Sequence, residues 1–190
     1  MDMLLVDDDD KEIIDRLLAS KLPRSLSRHA IIVLHCFRTV CKVKFHPSVL
    51  FYSCLSYSLK WRVYADGEGL LAKYSHEVDI NDITACEMLL HEVVRQNVLL
   101  IEACLRSVLF EISQLGTIFR SDRERVIQMC LHLSSELYKT RWCLLPETSA
   151  RGILLLALEK CNVDVNDLPS TFKQPMVIDI VQYLRVRFSQ

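Results

Sequence analysis

The chain has 190 residues, of which 51% are apolar and 25% charged, and its 23 Lys and Arg nearly balance its 24 Asp and Glu, for a formal net charge of -1. This composition is typical of a globular protein with a sizeable core and argues against long disordered stretches. A protein that binds nucleic acid mainly through phosphate contacts carries a basic excess, which this chain lacks. With only 4 Gly and 5 Pro, the chain is also poor in the turn residues of all-β folds, so an all-α fold is expected.

The N-terminal part, residues 1–25, is expected to form a tail with one short helix. Residues 13–19 (IIDRLLA) place apolar side chains at helical spacing, and Pro23 separates them from the next element. The acidic run at residues 7–11 (DDDDK) is also a protease-tag sequence. It is either a natural acidic helix start or a remnant of such a tag, and we assign it no function.

The first half of the chain then predicts a series of helices separated by short breaks. Pro47 suits a helix start, and residues 66–69 (DGEG) predict a turn. Small side chains along one side of the second predicted helix would let another helix approach closely; they are Ser53, Cys54, Ser56 and Ser58. The predicted helices cover residues 27–42, 47 to about 64, and 70–76, with a fourth from 78 to about 87.

The second half predicts longer and more apolar helices. Residues 93–112 are expected to form a central, mostly buried helix, and Gly116 follows as a break. Residues 153–158 are apolar on every side and are therefore expected in the core. The remaining helices are predicted over residues 123–140, 147–161 and 177–188.

The side chains that could carry chemistry form no catalytic pattern. No two of the eight cysteines make a C-x-x-C pair, and they lie in apolar stretches, so we expect free thiols in a reducing compartment. A zinc site from Cys36, Cys41 and His46 is conceivable, but its spacing fits no familiar pattern, so no metal and no cofactor are expected. Four glycines supply no phosphate-binding loop, and no Ser/His/Asp arrangement is recognisable. We therefore expect the chain not to be an enzyme.

We also expect no membrane span, because no apolar run approaches ~18 residues without a charge.

Two segments of the sequence are similar to each other. Residues 70–83 read LLAKYSHEVDINDI, and residues 155–168 read LLALEKCNVDVNDL. Leu-Leu-Ala, Val-Asp and Asn-Asp recur in register, which suggests a duplicated unit made of several helices. Chance agreement between apolar helices and turn residues is the other interpretation. Duplication would divide the chain into a first repeat at 26–105 and a second at 106–190.

Tandem all-helical repeats, together with several motifs, resemble the cyclin family over residues 27–188. The stretch LLAKY at 70–74 is similar to the end of the third cyclin-box helix, and LIEACL at 100–105 is similar to the fifth. The start HPSV at 46–49 resembles the second-helix start of transcription-type cyclins. Residues 137–145 and 153–158 look like the corresponding stretches of cyclins C, H, K, L and M, and FKQP at 172–175 is closest to the cyclin M (cyclin Q) branch. The resemblance implies two cyclin-box-like repeats that bind and activate a cyclin-dependent kinase as a heterodimer, linked to transcription or cell-cycle control. It also implies an intracellular, nuclear protein, and we expect no direct contact with membrane or nucleic acid.

By the resemblance, the kinase-facing residues are Lys73 and Glu102, whose interval matches that of the family, with Tyr74 and Glu77 extending the same surface. Lys73 and Glu102 would hydrogen-bond backbone groups of the kinase. The competing interpretation makes Lys73 a solvated helix-end charge and pairs Glu102 with a neighbour such as Arg106.

The two tryptophans, Trp61 and Trp142, are expected to pack inside the fold. An exposed Trp would instead mark an interface hot spot.

The sequence also departs from the cyclin pattern. It is shorter before Lys73 and after Phe110, and residues 28–32 (RHAII) only faintly echo the Met-Arg-Ala-Ile-Leu docking helix. Two other functions therefore stay open. One is an all-helical adaptor or scaffold without kinase activation, and the other is a TFIIB-like cyclin fold that binds nucleic acid, which the balanced charge disfavours.

Overall fold

A computed structural model describes residues 6–62, 67–72, 78–94, 98–114 and 122–188 of the chain. The chain is all-helical, and no strand occurs in those five ranges. The α-helices are α1 (Asp8–Ala19), α2 (Arg24–Val40), α3 (Pro47–Arg62), α4 (Gly67–Ala72), α5 (Ile80–Val93), α6 (Ile101–Gln114), α7 (Arg123–Leu137), α8 (Pro146–Lys160) and α9 (Pro175–Phe188). Short 3-10 helices lie at Arg141–Leu144 and Ser170–Lys173.

The chain divides into two compact units between Val98 and Leu99. The first unit contains α1 to α5, and its centre is α3, which packs against α1, α2, α4 and α5. The small side chains of α3 are buried, as close packing requires. Among them, Ser58 Oγ donates to the carbonyl of Cys54 (2.7 Å) and lies 2.9 Å from His29 Nδ1 on α2. Because Ser58 has only one proton to give, His29 donates from Nδ1.

The second unit contains α6 to α9 and is built around α8, which packs against α6, α7 and α9. Residues 153–158 of α8 are all buried, which confirms the expected core segment. Gly152 is needed where α8 meets α9, because a Cβ there would lie 2.6 Å from Cγ2 of Ile180.

Helix α8 ends at a residue in the left-handed conformation. Asn162 has a φ of 58°, and the next N–H, that of Val163, bonds to the Leu158 carbonyl at 3.0 Å. This is the Schellman arrangement, in which the reversed residue lets the last carbonyls of the helix find partners.

The N-terminal acidic run belongs to the first unit. Asp8, Asp9 and Asp10 form the first turn of α1, where carboxylates interact favourably with the helix dipole. Asp10 is buried, and its Oδ1 accepts a hydrogen bond from Arg38 Nε at 2.9 Å. Arg38 also donates to the Val43 carbonyl at 3.3 Å. One guanidinium therefore links α1 to the segment that follows α2.

Two predicted elements differ most from the structure, and the helix predicted to end at about residue 87 continues, as α5, to Val93. The helix predicted over 93–112 is wrong at its start, because α5 continues to Val93 and α6 begins only at Ile101. Tertiary hydrogen bonds hold the backbone just after α5 and at the start of α6: Tyr57 donates to the Val94 carbonyl (2.8 Å), and Tyr138 Oη accepts from Ile101 N–H (3.1 Å). The turn predicted at 66–69 is wrong over 67–69, which start α4, the short helix that packs against α3.

The two similar sequence segments share one local structure but occupy different places in their units. Asp79 Oδ1 accepts from Asn81 N–H at 2.8 Å, and Asp164 Oδ1 accepts from Asn166 N–H at 3.0 Å. The first of these turns caps the start of α5, whereas the second follows the end of α8. The sequence match thus pairs α4 with α8 and does not align the two central helices, α3 and α8.

Candidate functional site

Of the four residues predicted to face a kinase, the structure describes Glu102. Lys73, Tyr74 and Glu77 lie outside the described ranges, between the end of α4 at Ala72 and the cap of α5 at Asp79. Along the chain, the division into two units falls between Lys73 and Glu102. The predicted repeat boundary at 105/106 falls inside α6.

Glu102 lies in the first turn of α6 and is half-buried. Its Oε2 accepts a hydrogen bond from the hydroxyl of Tyr138 at 2.8 Å. The same hydroxyl accepts from the backbone N–H of Ile101, so it both donates and accepts at the start of α6. Tyr138 is fully buried just after the end of α7. The arrangement ties the start of α6 to the end of α7 and gives Glu102 a structural partner within its own unit.

The two tryptophans differ in burial. Trp142 is 7% exposed, which confirms the expected packing role, whereas Trp61 is 51% exposed, so the same expectation is wrong for Trp61. Trp61 lies in the last turn of α3, with its ring centroid 6.0 Å from that of Tyr57. The indole packs on this aromatic neighbour and leaves about half of its surface in solvent, because α3 ends one residue later.

Exposed apolar side chains on α5 are a feature that the sequence reasoning misses. Ile80 is 73% exposed and Met88 is 65% exposed, and Thr84 between them is also exposed. Residues at i, i+4 and i+8 share one face of a helix, so the sequence does contain the spacing that groups Ile80, Thr84 and Met88. The pattern does not say which face is exposed, because that depends on how α5 packs against α3.

Three buried thiols are unsuited to nucleophilic chemistry. All eight cysteines are free. Burial raises the pKa of Cys86 to about 11 and that of Cys130 to about 12, and it raises the pKa of Cys54 well above its ordinary value. These three groups stay protonated at neutral pH, and the thiolate is the reactive form.

Metal ligands and membrane spans can be judged over the described ranges. Within those ranges, no group of three or more His, Cys, Asp or Glu side chains is placed to hold a metal ion, and this includes Cys36, Cys41 and His46. No helix in the same ranges combines the length and the apolar character needed to cross a bilayer.

Neither a protein-family model nor a curated protein matches the chain. The likeness to cyclins therefore stays a resemblance of residues and motifs.

Proposed function

We propose that this chain is a cyclin-like regulatory subunit that binds and activates a cyclin-dependent kinase, linked to transcription or to cell-cycle control. The observation that carries the proposal is the pair of compact all-helical units, each built around one helix that begins with proline, α3 at Pro47 and α8 at Pro146. Two such units are what the cyclin resemblance of residues 27–188 implies. A nuclear location is part of the same proposal.

In this proposal the chemistry belongs to the kinase. The chain would favour the active arrangement by binding that state more tightly than the inactive one. Lys73 would donate to, and Glu102 accept from, backbone groups of the kinase segment that carries the glutamate needed to position ATP. Tyr74 and Glu77 would extend that contact surface.

The test is capture of kinases by the chain from a panel of purified cyclin-dependent kinases. We expect one kinase to be captured and Lys73→Ala to weaken that capture by about tenfold, which corresponds to about 1.4 kcal/mol. Activation is measured on the captured kinase with a generic peptide substrate. Capture that is unaffected by Lys73→Ala would keep the partner and discard the assigned interface.

Glu102 needs its own control because it has a structural partner. Glu102→Ala removes both the proposed kinase contact and the acceptor for Tyr138, so its effect alone is ambiguous. Tyr138→Phe removes the hydroxyl but keeps the Glu102 carboxylate. If Glu102 contacts the kinase, Glu102→Ala weakens capture much more than Tyr138→Phe does. Equal losses would mean that Glu102 acts only by holding α6.

A helical adaptor without a kinase is the second candidate, and one observation favours it. Glu102 is held by Tyr138 within its own unit, as expected for a structural rather than a recognition carboxylate. Capture of no kinase from the panel by a chain that is folded, as judged by its circular dichroism, would favour the adaptor over the regulatory subunit.

A further inference from the structure

One side of the first unit exposes large apolar side chains on two packed helices. Trp61 lies at the end of α3, and Ile80 and Met88 lie on α5, and all three are more than half exposed. Thr84 is exposed one turn from each of the α5 residues. We refer to these four residues, Trp61, Ile80, Thr84 and Met88, as the Trp61 face.

Two contacts show that α3 and α5 are antiparallel. The Tyr57 ring lies edge-on to His91, with centroids 4.9 Å apart, and Lys60 Nζ bonds to Glu87 Oε2 at 2.6 Å. As the chain advances along α3, its partners on α5 therefore move back toward the start of α5. Trp61 follows Lys60 and is level with the turn that precedes Glu87.

The same contacts place Trp61 and Met88 on one side of the helix pair. At 100° per residue, Lys60 and Trp61 project to opposite sides of Tyr57 on α3. On α5, Glu87 and Met88 likewise project to opposite sides of His91. Because Lys60 meets Glu87 on one side, Trp61 and Met88 share the other. Thr84 projects about 20° to the Met88 side of His91, so it extends this shared side, whereas Ile80 lies at its edge near the start of α5.

The Trp61 ring is held in place by a buried neighbour. Tyr57 is fully buried, donates to the Val94 carbonyl at 2.8 Å, and packs against the indole. An exposed tryptophan whose rotamer is restrained by a buried neighbour loses little conformational entropy when a partner covers it. Tryptophan is also among the residue types most enriched at the energetic centres of protein interfaces.

The charges of the α5 segment are negative. Residues 78–94 contain four acids and neither lysine nor arginine; the acids are Asp79, Asp82, Glu87 and Glu92. Glu87 bonds to Lys60, so that cation is already engaged within the unit. The other three acids are exposed: Asp79 directly precedes Ile80 and Glu92 lies a single turn beyond Met88, whereas Asp82 projects to the opposite side of α5 from Ile80. A partner that covers the apolar residues therefore gains most when it brings cations to the two ends of α5.

We propose that the Trp61 face binds an amphipathic helix of a partner protein. Apolar side chains of that helix, spaced at i, i+3 or i+4, cover Trp61 and Met88, and its Arg or Lys side chains lie opposite the acids at the ends of α5. Helical spacing of the anchors fits the helical spacing of Ile80, Thr84 and Met88. This surface excludes residues 73–77 and Glu102, so the inference does not depend on the kinase proposal.

The test is binding of a synthetic probe peptide to the chain. The probe is a dye-labelled helix-forming peptide with Leu on one face and Arg on its flanks, and the matched control peptide has Glu at every Arg position. Fluorescence anisotropy gives the affinity. With unlabelled peptide, a blue shift of Trp61 emission reports burial of the indole, since Trp142 is already buried. We expect the Arg peptide to bind at least about tenfold more tightly than the Glu peptide.

Variants locate the binding. Trp61→Ala is expected to weaken binding of the Arg peptide by at least about tenfold. Met88→Arg, at an exposed position, adds a cation to the face without disturbing the core and is expected to have a similar effect. Glu92→Lys, one turn beyond Met88, is expected to reduce the preference for the Arg peptide over the Glu peptide. Val186→Ala, an exposed apolar residue on α9 of the second unit, is the matched control and is expected to leave the affinity unchanged.

Three results would overturn the proposal. The first is equal binding of the Arg and Glu peptides, which would mean that charge plays no part. The second is an affinity that neither Trp61→Ala nor Met88→Arg changes, or no binding at all. The third is self-association of the chain in sedimentation that Trp61→Ala abolishes, because the occupant would then be a second copy.

Discussion

Helices α3 and α8 are each the centre of one unit, but the side chains that they bury differ in kind. Helix α3 buries Ser53, Ser56 and Ser58 beside its apolar residues, and α2 faces it with the buried imidazole of His29. Helix α8 buries Ser149 in its first turns, but its centre is an unbroken apolar run over residues 153–158, and its close contact with α9 depends on the missing side chain of Gly152.

This difference separates two sources of stability. In the first unit, buried polar groups must keep their partners, because an unsatisfied donor or a lone buried charge is costly. At the contact of α8 with α9 in the second unit, the fit of apolar surfaces matters most, because overpacking or a cavity changes stability directly. The buried ion pair of the first unit should therefore respond to loss of a partner and to pH, and the α8–α9 contact should respond to added volume.

The largest effect is expected from breaking the buried ion pair of the first unit. The side chains of Asp10 and Arg38 are 4% and 13% exposed. Arg38→Met leaves the Asp10 carboxylate buried without its cation and is expected to lower the free energy of unfolding by about 3–5 kcal/mol. Urea unfolding at neutral pH measures the loss. The double variant Asp10→Asn/Arg38→Met removes both charges and should be less impaired than Arg38→Met alone; if it is worse, the lone carboxylate is not the cause.

The same variant has a pH dependence whose sign follows from the pKa of Asp10. Burial raises that pKa above its ordinary value of 3.8, and Arg38 opposes the rise. In the pH window between 3.8 and the raised pKa, the folded state binds more protons than the unfolded state, so the free energy of unfolding falls as pH increases. Arg38→Met removes the opposing effect and extends this window upward.

The penalty for Arg38→Met should therefore be larger at neutral pH than in acid, where the Asp10 carboxyl of the folded variant is protonated and uncharged. The comparison is made by urea unfolding of wild type and variant at neutral pH and at about pH 4. An equal penalty at both values would show that Arg38 contributes through packing and through the Val43 carbonyl rather than through its charge.

The second unit should respond most to added volume. Gly152→Ala places a methyl group 2.6 Å from Cγ2 of Ile180, so the two helices must separate. We expect a loss of about 1–3 kcal/mol from overpacking, although alanine gains about 1 kcal/mol in helix propensity. A double-mutant cycle with Ile180→Ala checks the cause. If Gly152→Ala costs as much in the Ile180→Ala background as in wild type, the contact is not responsible.

A smaller loss is expected from the hydroxyl at the centre of the first unit. Ser58→Ala takes the hydroxyl acceptor away from the buried Nδ1–H of His29, at a cost of about 1–3 kcal/mol. Thr84→Ala is the matched control, because Thr84 Oγ1 makes the same bond to the carbonyl four residues earlier (2.8 Å) but on the surface. That variant should change stability by less than about 0.5 kcal/mol. Similar losses in the two variants would contradict a special role for the buried pair.

Much of the fold follows from patterns that are local in sequence. The apolar run of α8 is readable without a structure, because a segment that is apolar on every side has no solvent face. The small buried residues of α3 are readable as serines, but they project to different sides of the helix, because α3 is packed against four others. The sequence does not predict helix ends that depend on hydrogen bonds from distant residues. At the end of α5, the Tyr57 hydroxyl donates to the Val94 carbonyl, and at the start of α6 the Tyr138 hydroxyl accepts from the Ile101 N–H.

The candidate sites likewise depend on contacts between residues that are distant in sequence. The exposure of Trp61 depends on where α3 ends and on how α5 packs beside it, and no local pattern encodes either. The Tyr138–Glu102 hydrogen bond joins residues that are distant in sequence, so the sequence alone suggests only the local partner Arg106. The cyclin resemblance supplies residues for a partner surface, but three of them, Lys73, Tyr74 and Glu77, lie outside the described ranges.

The smallest effect is expected at the end of α8 and depends on backbone conformation rather than on volume. Asn162 has a φ of 58°, a conformation that glycine and asparagine adopt more easily than other residues. Asn162→Ala should lower the free energy of unfolding by about 1 kcal/mol, whereas Asn162→Gly should not lower it measurably, because glycine is the usual residue at this position of a Schellman motif. Thermal unfolding of the two variants side by side provides the measurement. A loss in Asn162→Gly as large as that in Asn162→Ala would mean that the side chain of Asn162, rather than the left-handed backbone, supports the end of α8.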